Sequence, residues 1–139
     1  MSMNETDNLK RLNEFCRNSL VEHLGIEYTA MGEGWIEARM PIDHRTCRPD
    51  GLLHGGANMA LAETIGGVIS AITLPENEAF KAFGIEINGN HMKQAKGRYV
   101  VARGTFIHKG RTTHVVNVEI RDEFGNLVTI SRVTNIITE

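Results

Sequence analysis

One glutamate stands alone in the longest apolar stretch of this chain. Between Gly55 and Leu74, Glu63 is the only ionisable side chain, and moving a carboxylate from water into apolar surroundings costs on the order of several kcal/mol unless it is paired or hydrogen-bonded. Burial would raise its pKa, whereas a hydrogen bond from a histidine or a helix start would lower it. A carboxylate held between those influences serves as a general base or nucleophile. The alternative role for such a residue is structural, tied to a partner that fixes register or subunit pairing.

The segment Gly51-Leu52-Leu53-His54-Gly55-Gly56 falls where the helix around Glu63 must begin. Backbone N–H groups of a first helical turn have no intrahelical partner. Gly55 and Gly56 lack a Cβ, so a carbonyl could approach those donors closely, and the positive end of the helix dipole would favour an oxyanion there. A glycine pair that only eases packing is the competing explanation. His54 could steady the loop, hydrogen-bond the carbonyl or satisfy its own neighbours. Neither G-x-x-x-x-G-K-[ST] nor G-x-G-x-x-G occurs, so no phosphate loop is indicated. A third group, Lys93, Lys96, Arg98, His108, Lys109 and Arg111 with His91 nearby, gathers positive charge on strand ends and turns; it offers phosphate contacts or an ordinary charged rim.

His54 and Glu63 are nine positions apart, and nine steps of about 100° put them on opposite faces of one helix. If both serve one site, that site joins the helix start of one subunit to Glu63 of another, which makes self-association part of the chemistry. Ala60, Gly66 and Gly67 are assigned to the Glu63 face, where small side chains suit a partner helix or a substrate.

These groups need elements to hold them. Residues 6–24 carry Leu9, Leu12, Phe15, Leu20 and Leu24 at helical spacing, which predicts an amphipathic N-terminal helical segment (1–24) ending by Gly25. From Gly34 an alternating run to Pro41 predicts a half-buried strand, and 42–52 a loop. The helix from Gly55 to Leu74 is apolar all round and rich in small residues, as a helix enclosed by protein is; Asn58, Glu63, two adjacent glycines and the lack of basic flanks argue against a membrane span. Strands are expected at 82–92, with Phe83, Ile85 and Ile87 on one side, and at 98–107, 113–121 and 127–137, with hairpin turns at Gly110 and Gly125. The sum is α+β: a long helix against an antiparallel sheet of about five strands, in one domain over 1–139.

Composition narrows the function classes. The chain has 139 residues, 41% of them hydrophobic, and a formal net charge of −2, enough for one core and without the basic field that draws a protein to nucleic acid or an anionic membrane. Cys16 and Cys47 form no C-x-x-C and suggest neither a disulfide framework nor a zinc site. The polar N-terminus does not read as a signal peptide, so a cytoplasmic protein is expected.

The residues GLLHGGANMALAETIGG, the strand bearing EINGNHMKQAKG and the closing hairpins resemble the hotdog-fold acyl-CoA thioesterases, over nearly the whole chain after the first helix. The resemblance is to the branch with the 4-hydroxybenzoyl-CoA and 1,4-dihydroxy-2-naphthoyl-CoA thioesterases, because the helix carries Glu63 where another branch carries Asp. It implies a long helix wrapped by a curled sheet, paired into homodimers and usually homotetramers. It implies hydrolysis of an acyl-CoA, aromatic by the family's example and with menaquinone biosynthesis as its context, with Glu63 as nucleophile or general base. Gly55 would polarise the thioester carbonyl, with His54 assisting and Gly56 and Gly67 near the substrate. His91, Lys93, His108, Lys109 and Arg111 would hold the nucleotide end of coenzyme A, which is part of the substrate; no separate cofactor or metal is implied. Arg48 stands where this branch often has a Gln that helps hold the carbonyl, and Gly67 where a Ser or Thr commonly orients water. The rival readings are an acyl-thioester hydratase or dehydratase, against which the HGG arrangement speaks, and a non-catalytic acyl-CoA-binding module, which Glu63 disfavours.

Overall fold

The computed structural model describes residues 3–76 and 79–139. Two short helices come first, α1 (Met3–Phe15) and α2 (Leu20–His23), followed by strands β1 (Glu27–Gly32) and β2 (Trp35–Pro41), the long helix α3 (Gly55–Ala71), and strands β3 (Lys81–His91), β4 (Tyr99–Lys109), β5 (Thr113–Asp122) and β6 (Leu127–Thr138). All six strands form one antiparallel sheet in the order β1-β2-β4-β5-β6-β3. The four strands from β3 to β6, β2 and the connecting turns match the expectation.

Three differences have identifiable causes. The N-terminal segment is not one helix over 6–24, because Asn18 takes a left-handed conformation (φ 61°) and breaks it before Ser19. The sheet has six strands rather than five: β1, which lies between two positive-φ glycines (Gly25 and Gly34), alternates too weakly in hydrophobicity to signal itself. In β3 a bulge between Gly84 and Glu86 inverts the alternation, so Phe83 lies opposite Ile136 while Ile87 lies opposite Val133. Phe83 and Ile85 are consequently 53% and 60% exposed, and Ile87 alone packs against the core.

The core lies between α3 and one face of the sheet, where Leu61, Ala62, Ile65 and Ile69 join Ile36, Met40, Val100, Val116, Val118, Ile120 and Val133. The helix sits close because small residues face its bulky contacts. A Cβ on Gly66 would fall 2.6 Å from Val133, and a Cβ on Gly104 would fall 2.5 Å from the Ile65 side chain. Gly66 therefore belongs to the core contact and not to the Glu63 face, as the sequence reading had assigned it. Its carbonyl also accepts a hydrogen bond from Asn135 Nδ2 at 2.9 Å. Among the described residues no helix is long and apolar enough to cross a membrane.

Replacing Gly66 with alanine forces the Val133 contact apart, and overpacking of this kind costs about 1–3 kcal/mol. Urea denaturation of Gly66→Ala is expected to show that loss, whereas Gly67→Ala, whose added Cβ meets nothing within 4 Å, is expected to leave the single chain's stability unchanged or raised.

Candidate functional site

Helix α3 begins with a side chain acting on its own backbone. His54 is the N-cap, and its Nδ1 accepts a hydrogen bond from the Gly56 amide at 2.7 Å. Because Nδ1 is an acceptor, a neutral His54 carries its proton on Nε2. The His54 carbonyl accepts from the amides of Ala57 (3.0 Å) and Asn58 (3.3 Å). Of the amides in this first turn, the Gly55 N–H is left with no partner among the described residues. The donor that the sequence singled out is thus the one the cap leaves free, whereas Gly56 is committed to His54.

Gly55 has a neighbour that sequence spacing did not reveal. The last residue of β3, His91, leans over it: a Cβ at Gly55 would lie 2.9 Å from His91 Nε2. His91 Nδ1 is 2.9 Å from Thr129 Oγ1, and Asn58 Nδ2 donates to that same hydroxyl at 3.3 Å. Thr129 and Asn58 are buried. In the sequence His91 stands out only beside the positive cluster, as a phosphate contact, and Asn58 only as a polar residue in an otherwise apolar helix; nothing there joins them to Thr129.

Glu63 occupies the middle of α3, and in a single chain it is exposed, not enclosed. The sequence reading had every side of this helix covered. In fact Gly56, Glu63 and Ala71 are exposed and Ala57, Ala60, Thr64, Gly67 and Val68 are only partly covered, while Asn58, Leu61, Ile65 and Ile69 point inward. Small residues along that stripe read as an all-round apolar helix in sequence, yet the sheet covers one face only. Glu63 lies against Gly84 of β3, where a Cβ would stand 3.3 Å from Glu63 Oε1 and 3.6 Å from Asn135 Oδ1.

Behind Glu63 runs a buried polar group. Asn135 Nδ2 donates to Ser70 Oγ at 2.8 Å, and His114 Nδ1 lies 2.8 Å from the same oxygen. Burial, with the positive charge of Lys109 adding to it, holds the His114 pKa below its ordinary value.

The remaining candidates do not converge within one chain. Arg48 lies in the loop before the helix, where its guanidinium pairs with Asp50 at 2.6 Å and both side chains are about half exposed. Arg98 is paired with Glu123 at 2.7 Å. His91 and Lys93 stand at the start of α3, whereas the β4–β5 turn bearing His108, Lys109 and Arg111 belongs to its far end, where His114 meets Ser70. Seventeen residues of helix make that separation roughly 25 Å. Beside the far end of α3 is a cleft of about 1160 Å³, with Ile69, Leu74, Phe83 and Phe106 in its walls together with Arg11 and Lys109. Lys109 Nζ also lies 5.6 Å from the Phe106 ring.

Residues 50–129, which contain the free amide, His91 and Glu63, match the family model of the thioesterase superfamily. The chain belongs to that superfamily. A thioesterase of Haemophilus influenzae superposes with a TM-score of 0.90 at 46% identity, over 94% of this chain and 90% of the other, so this superfamily member has the hotdog fold and is a thioester hydrolase. The 1,4-dihydroxy-2-naphthoyl-CoA hydrolase of Escherichia coli is 39% identical over 129 residues, 93% of each chain. A thioesterase of Staphylococcus aureus, 33% identical over 86% of this chain and 98% of its own, superposes with a TM-score of 0.82. It has been solved as two alanine variants, one at a glutamine and one at a glutamate fifteen positions later.

The His114 shift sets a pH dependence. A folded-state pKa below the unfolded value of about 6.5 means that the unfolded chain binds the proton more readily. The contribution is fully present above about pH 6.5 and is lost as pH falls toward the folded pKa. Thermal melts between pH 7.5 and 5 are expected to show a fall in Tm toward acid that is shallower in His114→Gln.

Proposed function

We propose that the protein hydrolyses acyl-CoA thioesters at a site shared by two copies of the chain, with the thioester carbonyl on the Gly55 amide of one and Glu63 of the other. The observation that carries this reading is the combination of an unpartnered helix-start amide with an exposed mid-helix carboxylate, which stand eight residues and about 12 Å apart along α3, too far to meet one carbonyl within a chain. In the first route the Glu63 carboxylate attacks the carbonyl carbon, the C–S bond breaks to release the coenzyme A thiolate, and water then hydrolyses the mixed anhydride. In the second, Glu63 takes a proton from water as its oxygen attacks, and that proton passes to the departing thiolate. Both routes place negative charge on the carbonyl oxygen, where the Gly55 N–H and the helix dipole stabilise it.

Dimerisation is supported by the surface beside the site. Strand β3 is a sheet edge with exposed Phe83 and Ile85, and an open apolar edge is a template for pairing. It runs alongside the uncovered stripe of α3, with Gly89 against Met59. A two-fold axis near Met59, midway between Gly55 and Glu63, brings the start of each helix to the middle of the other. The same rotation carries the partner's β4–β5 turn toward Lys93, so that His108, Lys109 and Arg111 join it around the phosphates of coenzyme A. A further pairing of such dimers into a tetramer follows the same family pattern.

The acyl group is read as aromatic or otherwise apolar. The resemblance to the dihydroxynaphthoyl-CoA hydrolase supports an aromatic group. Arg48 and Glu63 stand fifteen positions apart, the spacing of the glutamine and glutamate altered in the staphylococcal relative. Arg48 thus replaces a neutral carbonyl-side amide with a cation, which favours an acyl group bearing a hydroxyl or a negative charge.

On a panel of aromatic and aliphatic acyl-CoAs followed by thiol release, Glu63→Ala is expected to lose on the order of a hundredfold or more in kcat; unchanged turnover of every substrate would reject the mechanism. Mixing tests the sharing directly. Glu63→Ala and Gly55→Val are each expected to be nearly inactive, and their co-refolded mixture to recover about a quarter of wild-type activity, because half the dimers are mixed and each holds one intact site. A site contained within one chain would recover none.

A further inference from the structure

We propose that His91 is a second hydrogen-bond donor to the thioester carbonyl, set in its donating tautomer by Thr129 and Asn58. This rests on the reading above that the carbonyl sits at Gly55, and it gives His91 a role different from phosphate binding. The Thr129 hydroxyl has one hydrogen. Its oxygen accepts from Asn58 Nδ2 at 3.3 Å, and among the described residues the acceptor within reach of its own hydrogen is His91 Nδ1 at 2.9 Å. With Nδ1 accepting, the neutral ring carries its proton on Nε2. Nε2 is the atom that lies 2.9 Å from the Cβ position of Gly55. His91 is exposed, while Thr129 and Asn58 behind it are 0% and 3% exposed.

The placement is rigid at both ends. His91 lies opposite Thr129 in the β3–β6 register, and Asn58 sits one turn beyond Gly55 in α3. The imidazole N–H and the Gly55 N–H are thereby fixed to one another through the sheet and the helix, and an oxygen placed between them can accept from both. Two donors converging on a developing oxyanion, held before the substrate arrives, are what stabilises the transition state in acyl transfer. The arrangement also explains why position 55 is glycine: any Cβ there would push the ring away.

The test uses the full-length protein and the acyl-CoA of the panel that wild type turns over fastest, with free coenzyme A as a competitive inhibitor. His91→Ala is expected to lower kcat about ten- to a hundredfold with KM and the inhibition constant for coenzyme A changed less than about threefold, and His91→Gln, which keeps an N–H donor, to recover part of the loss. Thr129→Val is expected to lower kcat in the same sense and Thr129→Ser to restore it, a rescue that thermal melts will separate from loss of folding. An unchanged kcat in His91→Ala, or a rise confined to KM and the coenzyme A inhibition constant, overturns the proposal and returns His91 to the cofactor-like end of the substrate. That result alongside an inactive Glu63→Ala leaves the shared-site mechanism standing, whereas an active Glu63→Ala removes the mechanism itself.

Discussion

The distance at which α3 rides above the sheet constrains the rest of the molecule. Gly66 meets Val133, and Ile65 meets Gly104, at separations that no larger residue on the glycine side could take. That close seating buries one side of the helix completely and holds the other clear of its own chain. It also fixes the helix start against the end of β3 and the helix middle against the bulge at Gly84. The candidate site residues are therefore placed by packing in the core, and Glu63 makes no hydrogen bond with the described residues that would restrain it.

Such a division of labour has an energetic reason. A carboxylate committed to several donors has a depressed pKa and is a poor base, and one enclosed in hydrocarbon is protonated and equally poor. Glu63 in a single chain is exposed and accepts from no donor among the described residues. In the proposed dimer a second surface covers the stripe of α3, and the desolvation that would sharpen the reactivity of Glu63 would come with that partner. The buried Asn135, Ser70 and His114 behind it hold α3 against β5 and β6 through neutral hydrogen bonds, which secures the helix without placing a charge beside the carboxylate.

Much of the fold was legible because its signals are periodic. The strands from β4 to β6 alternate cleanly, their turns carry Gly110 and Gly125, and α3 is long and free of strand-like alternation. The losses occurred where a single residue overrides a pattern. Asn18 ends a helix whose hydrophobic spacing continues, and the bulge after Gly84 moves Phe83 and Ile85 to the opposite face from Ile87. Small residues were the other source of error, since glycine and alanine fit equally a helix buried on every side and one left open for a partner. The site divided along the same line: Glu63, His54 and Gly55 were readable as residue types at a spacing, but the contacts of His91 with Gly55 and Thr129 join residues some forty positions apart and exist only once β3 is registered on β6.

The departure at Gly67 bears on how water is held. With no side chain at that position and open space around it, the face of Glu63 lacks the hydroxyl that a serine or threonine there would supply. Thr64 cannot substitute freely, because its Oγ1 is already donating to the Ala60 carbonyl at 2.7 Å, and Ser70 is committed to Asn135 and His114. Under the proposed mechanism a water attacking from this side, on the thioester carbonyl in one route or on the mixed anhydride in the other, would be oriented by Glu63 without help from either hydroxyl. Both proposed routes ask the same of the carbonyl, that it be held where Glu63 or its water can reach the carbon, and the Gly55 amide proposed to hold it is seated by the close contact of the helix start with His91.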